Sequence, residues 1–290
     1  MGAGQASMTD TLLNGYSGFV LSVCKNKTGY SFKKVAQVNS ERLVRQGKKQ
    51  MKYKDEIDGS YLSFVFDVPD IISVDLKSIV MKYCFGKTII DFIQTEDCSS
   101  IDWIVDHLKN LIEWEMEQCD YSNLSAKPFK DKLKGIPNPD NMHEEIISRV
   151  RNVGIPTGFC HGDLTLSNMI FSRKIILVDF HDPFIETPIQ DMVKLLQEVD
   201  MRWSLLMYNK DADMPKLFIA YDYLKKRIYE LVEFISSKYN IPRDVIFVFH
   251  LMVLVRLLAY AKDKKMYDLI LEKCKELLKN EKKLNSSYCW

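Results

Sequence analysis

The pattern of apolar and polar positions divides the chain into a strand-rich beginning and a helix-rich remainder. Two short runs rich in β-branched and aromatic residues, Phe19–Cys24 and Tyr30–Val35, are separated by a turn-like stretch, which predicts a hairpin. A mostly polar helix is predicted after Ser40, a residue suited to an N-cap. Phe64–Val68 and Ile79–Phe85 predict two further strands.

Beyond these strands the apolar spacing is typical of helices. Helical patterns occupy Ile101–Cys119, Ile189–Met207, Pro215–Tyr239, Pro242–Ala261 and Lys265–Lys279. A polar connection is predicted from Pro128 to Asp140, because this segment contains three prolines. The longest apolar run, Val245–Tyr260, includes His250 and is shorter than the ~20 residues that a membrane span requires. It predicts a buried helix, so no membrane insertion is expected.

Composition narrows the function classes without choosing one. The chain has 290 residues, of which 47% are hydrophobic, enough for one large domain or two lobes. Its 40 basic and 39 acidic residues leave no overall charge to attract nucleic acid, so no nucleic-acid partner is expected. Seven cysteines without a C-x-x-C pair predict a reducing, cytoplasmic location. Residues 1–7 lack signal-peptide features and are treated as a leader.

The candidate chemistry lies in the run His161–Asn168, which reads HGDLTLSN, and in Asp179, which follows a short apolar strand. Phosphoryl transfer requires positioning and charge neutralisation, and Mg²⁺ prefers oxygen ligands. Asp163 can take a proton from an attacking hydroxyl, while Asn168 and Asp179 can hold Mg²⁺. Since Asn168 follows Asp163 by five positions, both side chains can leave one short loop.

At these residues the chain resembles the kinase-like phosphotransferases of the aminoglycoside phosphotransferase and choline kinase group. The family pattern appears here as HGDLTLSN, ILVDFHD and IQDMVKLLQ. The resemblance implies that Asp163 is the catalytic base, that Asn168 and Asp179 are the metal ligands, and that Asp191 braces the catalytic loop. His161 is expected to support the loop by packing or hydrogen bonding.

Two features favour a small-molecule acceptor over a protein. Gly162 stands where protein kinases usually carry arginine, and only a short segment without an A-P-E run follows Asp179. Asp182 lies close enough in sequence to join the site, but a surface turn with Pro183 explains it equally well.

The nucleotide is expected to contact three segments of the first lobe. Gly15, Tyr16, Ser17 and Gly18 form a candidate phosphate loop, because glycines let backbone N–H groups approach phosphate oxygens. In the kinase-like fold a strand lysine reaches the phosphates. Lys33 and Lys34 both qualify, and Lys33 is preferred because that register leaves small Ser31 beside the nucleotide. The resemblance implies that Met81, Lys82, Tyr83 and Cys84 form the hinge, whose backbone groups would bond the adenine edge. A plain core strand and turn is the alternative interpretation of this segment.

The helix after Ser40 departs from the family pattern. The family's helix supplies a glutamate that pairs with the strand lysine, but Glu41 comes too early and Asp55 and Glu56 come late. The middle of the helix offers only Gln46 and Gln50. This departure motivates an alternative function, that of a pseudokinase acting as a nucleotide-binding or interaction module.

The sequence thus predicts an α+β, bilobal protein-kinase-like fold. Residues 8–84 would form an N-terminal nucleotide-binding lobe with an antiparallel sheet, and residues 85–290 a mostly helical catalytic and acceptor-binding lobe. The expected reaction transfers the γ-phosphate of ATP, or alternatively GTP, to a hydroxyl of a small molecule with Mg²⁺. Aminoglycosides, choline-like amines, sugars and glycan precursors stay open as acceptors, and no oligomeric state is predicted.

Overall fold

The computed structural model describes residues 11–14, 19–26, 29–38, 40–208 and 211–287. These residues form two compact units. The sheet unit contains the described residues up to Thr88 together with Asn168–Asp182, and the helical unit contains Ile89–Ser167 and the described residues from Pro183 onward. The predicted assignment of nucleotide binding to residues 8–84, and of catalysis and acceptor binding to residues 85–290, stays a prediction.

The structure has strands in both units and helices mostly in the second. Among the described residues the strands are β1 Thr11–Asn14, β2 Phe19–Asn26, β3 Gly29–Ala36, β4 Phe66–Asp67, β5 Ile71–Val74, β6 Ser78–Lys82, β7 Asp120–Asn123, β8 Gly154–Thr157, β9 Met169–Phe171 and β10 Ile175–Leu177. The α-helices are α1 Glu41–Asp58, α2 Ile89–Thr95, α3 Cys98–Glu117, α4 Ala126–Leu133, α5 Met142–Arg149, α6 Pro188–Met201, α7 Trp203–Leu206, α8 Met214–Lys238, α9 Arg243–Leu257 and α10 Lys264–Ser287.

The main sheet of the sheet unit is antiparallel, with strand order β1-β2-β3-β6-β5. The predicted hairpin is confirmed as β2 and β3, in which Ser22 lies opposite Lys33 and Leu21 opposite Lys34. A second sheet has the order β4-β10-β9, with β10 parallel to β4 and antiparallel to β9. Asn168 directly precedes β9, and Asp179 follows the end of β10 by two residues. Both residues belong to the sheet unit.

Helix α1 covers one face of the main sheet. Ser40 caps it by accepting a hydrogen bond from the Leu43 backbone N–H at 3.3 Å. Buried positions recur with helical spacing and include Leu43, which packs with Ala36, Ile79 and Met81 in an apolar cluster. Two of the buried positions on this face are polar, a feature that becomes important below.

Three elements differ from the sequence prediction. Only Phe66–Asp67 of the predicted strand Phe64–Val68 is extended, because a 3₁₀ turn occupies Tyr61–Phe64. The segment predicted as a polar connection from Pro128 begins inside helix α4. Pro128 is tolerated there because it lies in the first turn of the helix, where backbone N–H groups have no intrahelical partner. The predicted helix Ile189–Met207 is interrupted at Arg202, whose φ is +47°.

The helical unit is organised around α6 and α9. Thr187 caps α6 by accepting from the Ile189 N–H at 3.2 Å, and Pro188 occupies the first helical position. Helix α6 packs against α8 and α9, and α9 is buried on nearly all sides, as its uninterrupted apolar run predicts. Within the described part of the chain, no helix is both long and apolar enough to cross a membrane.

The region between β6 and α2 makes a close approach to β9 that only glycine permits. A Cβ atom on Gly86 would lie 2.6 Å from the Phe171 carbonyl oxygen and 2.5 Å from a methyl group of Ile170. The neighbouring residue, Lys87, exchanges two backbone hydrogen bonds with Phe171, at 2.8 and 2.9 Å, so the backbone cannot retreat easily.

We expect Gly86→Ala to lower the free energy of unfolding by about 1–3 kcal/mol, because the added methyl group overlaps backbone atoms. Chemical denaturation monitored by circular dichroism measures the change. Gly59→Ala is the matched control, since a Cβ there meets no atom closer than 3.6 Å. A Gly86→Ala protein as stable as the Gly59→Ala protein would contradict this packing.

Candidate functional site

The sheet unit contains a cavity of about 360 Å³, within the range of small-molecule sites. Its walls are mostly apolar, with Leu21, Phe32, Ile170 and Val178 among the lining residues. The four predicted hinge residues, Met81, Lys82, Tyr83 and Cys84, all line it. Lys34, Asn168 and Asp179 line the same cavity, so one unit brings together an apolar wall, an ammonium group and two oxygen-bearing side chains.

Lys34, rather than the preferred Lys33, is the lysine that reaches this cavity. Alternation along β3 sends the two side chains to opposite faces, and Phe32 and Lys34 share the face that lines the cavity. The Lys34 ammonium is buried, and its Nζ lies 2.5 Å from Asp179 Oδ1. It also lies 4.6 Å from the centre of the Phe19 ring. The preference for Lys33 was wrong by one residue, because it assigned the opposite face of β3 to the cavity.

Asp179 lies two residues after the end of β10 and has an unusual backbone conformation, with a φ of +60°. Its carboxylate pairs with Lys34, and Oδ1 also lies 3.5 Å from His181 Nε2. Burial alone would raise the pKa of Asp179, but the charges of Lys34 and His181 outweigh it and hold that pKa well below the usual range of a carboxyl. The side chain is therefore ionised at neutral pH.

The donor set suits Mg²⁺ better than a soft metal. Asn168 offers an amide oxygen and Asp179 an ionised carboxylate in one cavity, and Mg²⁺ is usually held by one or two such protein ligands plus phosphates and water. Among the described residues no group of three or more His, Cys, Asp or Glu side chains could hold a metal ion. The two predicted ligands therefore fit a metal that arrives with phosphate oxygens.

The partner of Lys34 on helix α1 is Gln46. Its Oε1 accepts a hydrogen bond from Lys34 Nζ at 3.3 Å, and the residue is only 2% exposed. Gln50, one turn further on, instead donates to the Pro69 carbonyl at 2.8 Å. Glu41 is exposed, and its Oε2 lies 4.0 Å from Arg45 Nη1. The expected glutamate therefore has no acidic replacement on α1.

The run His161–Asn168 begins in the helical unit, where Asp191 organises its backbone. The carboxylate of Asp191 accepts hydrogen bonds from the N–H groups of His161, Gly162 and Leu164, at 2.5, 2.8 and 3.3 Å. Gly162 has a φ of +90°, a conformation that strongly favours glycine. His161 is fully buried, and its Nδ1 accepts from the Asp163 N–H at 3.3 Å. These bonds set the direction in which Asp163 leaves the backbone.

Two further buried carboxylates hold this loop, and the sequence reasoning missed the role of both. Glu115 Oε1 accepts from the His161 N–H at 3.2 Å, and Glu198 Oε2 accepts from the Leu166 N–H at 3.1 Å. Glu198 also accepts from Ser204 and Tyr221. Burial raises the pKa of Glu198, although these hydrogen bonds oppose the shift. Glu198 thus holds the loop from within the core of the helical unit.

Asp163 has a lysine beside it that no motif indicated. Lys194 Nζ, from helix α6, lies 2.8 Å from Asp163 Oδ1 and also donates to Gln197 Oε1 at 2.9 Å. Both members of the ion pair are largely shielded, with side chains 14% and 17% exposed. Lys194 follows Asp191 by three positions, so one helical turn carries both residues that act on the loop.

The positions of the remaining predicted residues add little to the description of the site. Asp182 Oδ2 lies 2.7 Å from Arg45 Nε in an exposed ion pair, which favours the surface-turn interpretation. The N–H groups of Lys82 and Tyr83 donate to the carbonyls of Asp70 and Tyr30, so they are engaged within the sheet unit. Gly15, Tyr16, Ser17 and Gly18 lie outside the described residues, and the phosphate-loop prediction is untested.

Similarity to solved structures establishes the fold. A glucosamine kinase in complex with glucosamine, ADP and inorganic phosphate is 10% identical, with 95% of this chain and 96% of that chain covered and a TM-score of 0.55. The GDP complex of aminoglycoside 2'-phosphotransferase-IIIa is 13% identical over 95% and 94%, with a TM-score of 0.57. A thermostable mutant of aminoglycoside phosphotransferase APH(4)-Ia is 7% identical over 95% and 96%, with a TM-score of 0.58. The predicted α+β protein-kinase-like fold is confirmed.

Comparison of the amino-acid sequence gives a match over one part of the chain. No curated protein sequence matches the chain significantly. A family model described as the phosphotransferase enzyme family matches residues 96–221, a range that includes the run His161–Asn168 as well as Asp179, Asp191 and Lys194. The predicted resemblance is therefore confirmed, since this region of the chain matches the phosphotransferase enzyme family.

Proposed function

We propose that the chain is a kinase that uses Mg²⁺ and ATP, or alternatively GTP, to phosphorylate a hydroxyl group of a small molecule. The observation that carries this proposal is the shared cavity of Lys34, Asn168, Asp179 and the hinge residues Met81–Cys84. An apolar wall suits a purine ring, and the polar side chains suit the phosphates and their metal. The match of residues 96–221 to the phosphotransferase enzyme family supports the reaction class.

In the sheet unit the protein's task is to neutralise and position phosphates. The Lys34 ammonium would bind phosphate oxygens, and Asn168 and Asp179 would hold the Mg²⁺ ion. When bound, Mg²⁺ supplies positive charge to the phosphate oxygens. The N–H groups of Lys82 and Tyr83 are engaged in the sheet unit, so the purine edge would meet other backbone groups of the hinge.

In the helical unit the task is to orient the acceptor. Asp163 would hold the attacking hydroxyl through its carboxylate and take its proton, which is the usual role of this aspartate in phosphoryl transfer. Three backbone hydrogen bonds to Asp191 keep the loop from rearranging when the substrate binds. Lys194 keeps the Asp163 carboxylate in one orientation and provides positive charge next to it.

The acceptor is proposed to be a sugar-like or amine-bearing small molecule. Structures with the same fold include a complex with glucosamine and one with kanamycin, both of which are amine-bearing. Amino sugars and aminoglycosides are therefore the first compounds to test, followed by choline-like amines and glycan precursors. Cytoplasmic location is part of the proposal, and it follows from the cysteine usage alone.

A catalytically weak pseudokinase is the second candidate, and Gln46 is the observation that favours it. A neutral amide holds Lys34 less strongly than a carboxylate would, which could leave the lysine poorly placed for catalysis. This candidate predicts nucleotide binding without turnover, whereas the kinase proposal predicts both.

Incubation of the protein with Mg²⁺, ATP and a pool of hydroxylated metabolites should yield ADP and a phosphorylated product that mass spectrometry identifies. Asp163→Asn should lower kcat by about 10²–10⁴-fold, since the hydroxyl loses its base. Its affinity for nucleotide, measured by calorimetry, should change only a few-fold. Binding without any product from the wild-type protein would favour the pseudokinase, and loss of binding in Asp163→Asn would contradict the role given to Asp163.

Asp179→Asn should weaken the Mg²⁺-dependent part of nucleotide binding by about tenfold or more, because a charged ligand becomes neutral. Calorimetric titrations of nucleotide with and without Mg²⁺ separate this effect from contacts to the base. Asp58→Asn is the control, since Asp58 lies in the same unit and pairs with Lys54 on the surface. Equal affinities for Asp179→Asn and wild type would exclude Asp179 as a ligand.

Lys194→Met should reduce kcat about tenfold or more while leaving the KM for nucleotide within a few-fold, because Asp163 loses its neighbouring charge but the cavity of the sheet unit is untouched. Steady-state kinetics at saturating acceptor give both constants. Lys238→Met removes a surface pair with Glu113 in the same unit and should change neither. A drop in thermal stability with unchanged kcat per folded molecule would show that Lys194 is structural only.

A further inference from the structure

The Lys34 ammonium has two side-chain partners of different charge. It donates to Gln46 Oε1 at 3.3 Å and to Asp179 Oδ1 at 2.5 Å, and all three residues lie in the sheet unit. Gln46 is neutral, so the anion that balances Lys34 is the proposed metal ligand itself. A charge-assisted hydrogen bond is shorter and stronger than a neutral one, in keeping with these two distances.

The environment of Gln46 shows that this amide is placed for the lysine. Gln46 is 2% exposed, and its Nε2 has no hydrogen-bond partner among the described residues. A buried amide with an unmade hydrogen bond is costly, so its retention calls for a reason other than packing. Its oxygen accepts a hydrogen bond from Lys34, and within the described part of the chain the Gln46 side chain makes no other.

We propose that Gln46 is a positioning residue that leaves Lys34 on Asp179 until a nucleotide binds, so that the divalent cation enters together with the nucleotide rather than before it. This inference rests on the proposed function, because it takes Asp179 as a metal ligand. A cation that arrives alone must compete with an ammonium group for the same carboxylate oxygen. Phosphate oxygens give Lys34 another anionic partner, and Asp179 then becomes accessible to the metal.

The substitution Gln46→Glu changes the charge of this side chain with little change in its size. It therefore compares a helix that offers Lys34 a neutral amide with a helix that offers it a carboxylate. In Gln46→Glu the new carboxylate competes with Asp179 for Lys34. Mn²⁺ alone, without nucleotide, should then bind about tenfold more tightly than to the wild type, the change expected when one opposite charge leaves a carboxylate. Electron paramagnetic resonance of free Mn²⁺ measures this affinity. Gln46→Met, similar in size and uncharged, should stay within about threefold of wild type.

A double-mutant cycle with Lys34→Met tests whether the effect passes through the lysine. Lys34→Met alone should also tighten binding of Mn²⁺ without nucleotide, since Asp179 loses its competing cation. In that background Gln46→Glu should have no further effect on Mn²⁺. Equal tightening with and without Lys34 would mean that the new carboxylate attracts Mn²⁺ directly, and this result would overturn the proposal.

Two further outcomes are decisive. Unchanged Mn²⁺ affinity in folded Gln46→Glu, with folding checked by thermal unfolding, would also overturn the proposal. If Gln46→Glu does not fold, Lys34→Met alone decides, because unchanged Mn²⁺ affinity in that variant is incompatible with competition for Asp179. None of these measurements uses turnover, so a protein that shows the expected Mn²⁺ behaviour but phosphorylates nothing would refute the proposed function and leave the inference standing.

Discussion

The carboxylate of Asp191 is the interaction on which the rest of the candidate site depends. Buried backbone N–H groups must find acceptors, and an irregular loop cannot satisfy them internally as a helix or sheet does. Asp191 accepts three of them from His161, Gly162 and Leu164. Helix α6 can present this carboxylate rigidly because its N-terminus is capped by Thr187 and nearly all of its residues are buried. The orientation of Asp163 is therefore a consequence of packing in the helical unit.

The carboxylates of Glu198 and Asp179 have different roles, and their neighbours determine which role each can take. Glu198 accepts hydrogen bonds from backbone and hydroxyl groups, and its pKa is raised because burial outweighs those bonds. Asp179 is only partly buried, with 35% of its side chain exposed, and its pKa is lowered because Lys34 and His181 lie beside it. A carboxylate with cationic neighbours stays charged and can exchange those neighbours for a metal. One surrounded by neutral donors is suited to holding a loop.

Much of the fold could be predicted from sequence, because it depends on local patterns, and the candidate reactive residues came from one short motif. The β2–β3 hairpin and α1 follow from the period of apolar residues and from an N-cap. The errors arise where tertiary context decides. Choosing between Lys33 and Lys34 requires knowing which face of β3 meets the cavity, and β3 has partly buried residues on both faces. Helix α4 was missed because Pro128 was interpreted as a break, although the first turn of a helix accepts proline.

The residues that hold the candidate catalytic loop and its Asp163 in place were harder to predict than the loop itself. Lys194 is separated from Asp163 by thirty-one positions, and the family pattern on its helix gave a role to Asp191 but none to Lys194. Glu115 is more distant still, on α3, and an acidic residue in a helix ordinarily indicates an exposed face. Their roles follow from hydrogen bonds to particular backbone atoms, and such pairings leave no periodic signal in one sequence.

Asp163 and Asp179, the two aspartates proposed to act in the reaction, share one electrostatic arrangement. Asp163 is paired with Lys194 in the helical unit, and Asp179 with Lys34 in the sheet unit. Each pair is neutral, and Gln46 adds no charge to the second. In the sheet unit the pair of Lys34 and Asp179 therefore carries no net charge, although phosphoryl transfer demands neutralisation of the phosphate oxygens. A divalent cation held by Asn168 and Asp179, as proposed above, would supply further positive charge to the phosphate oxygens.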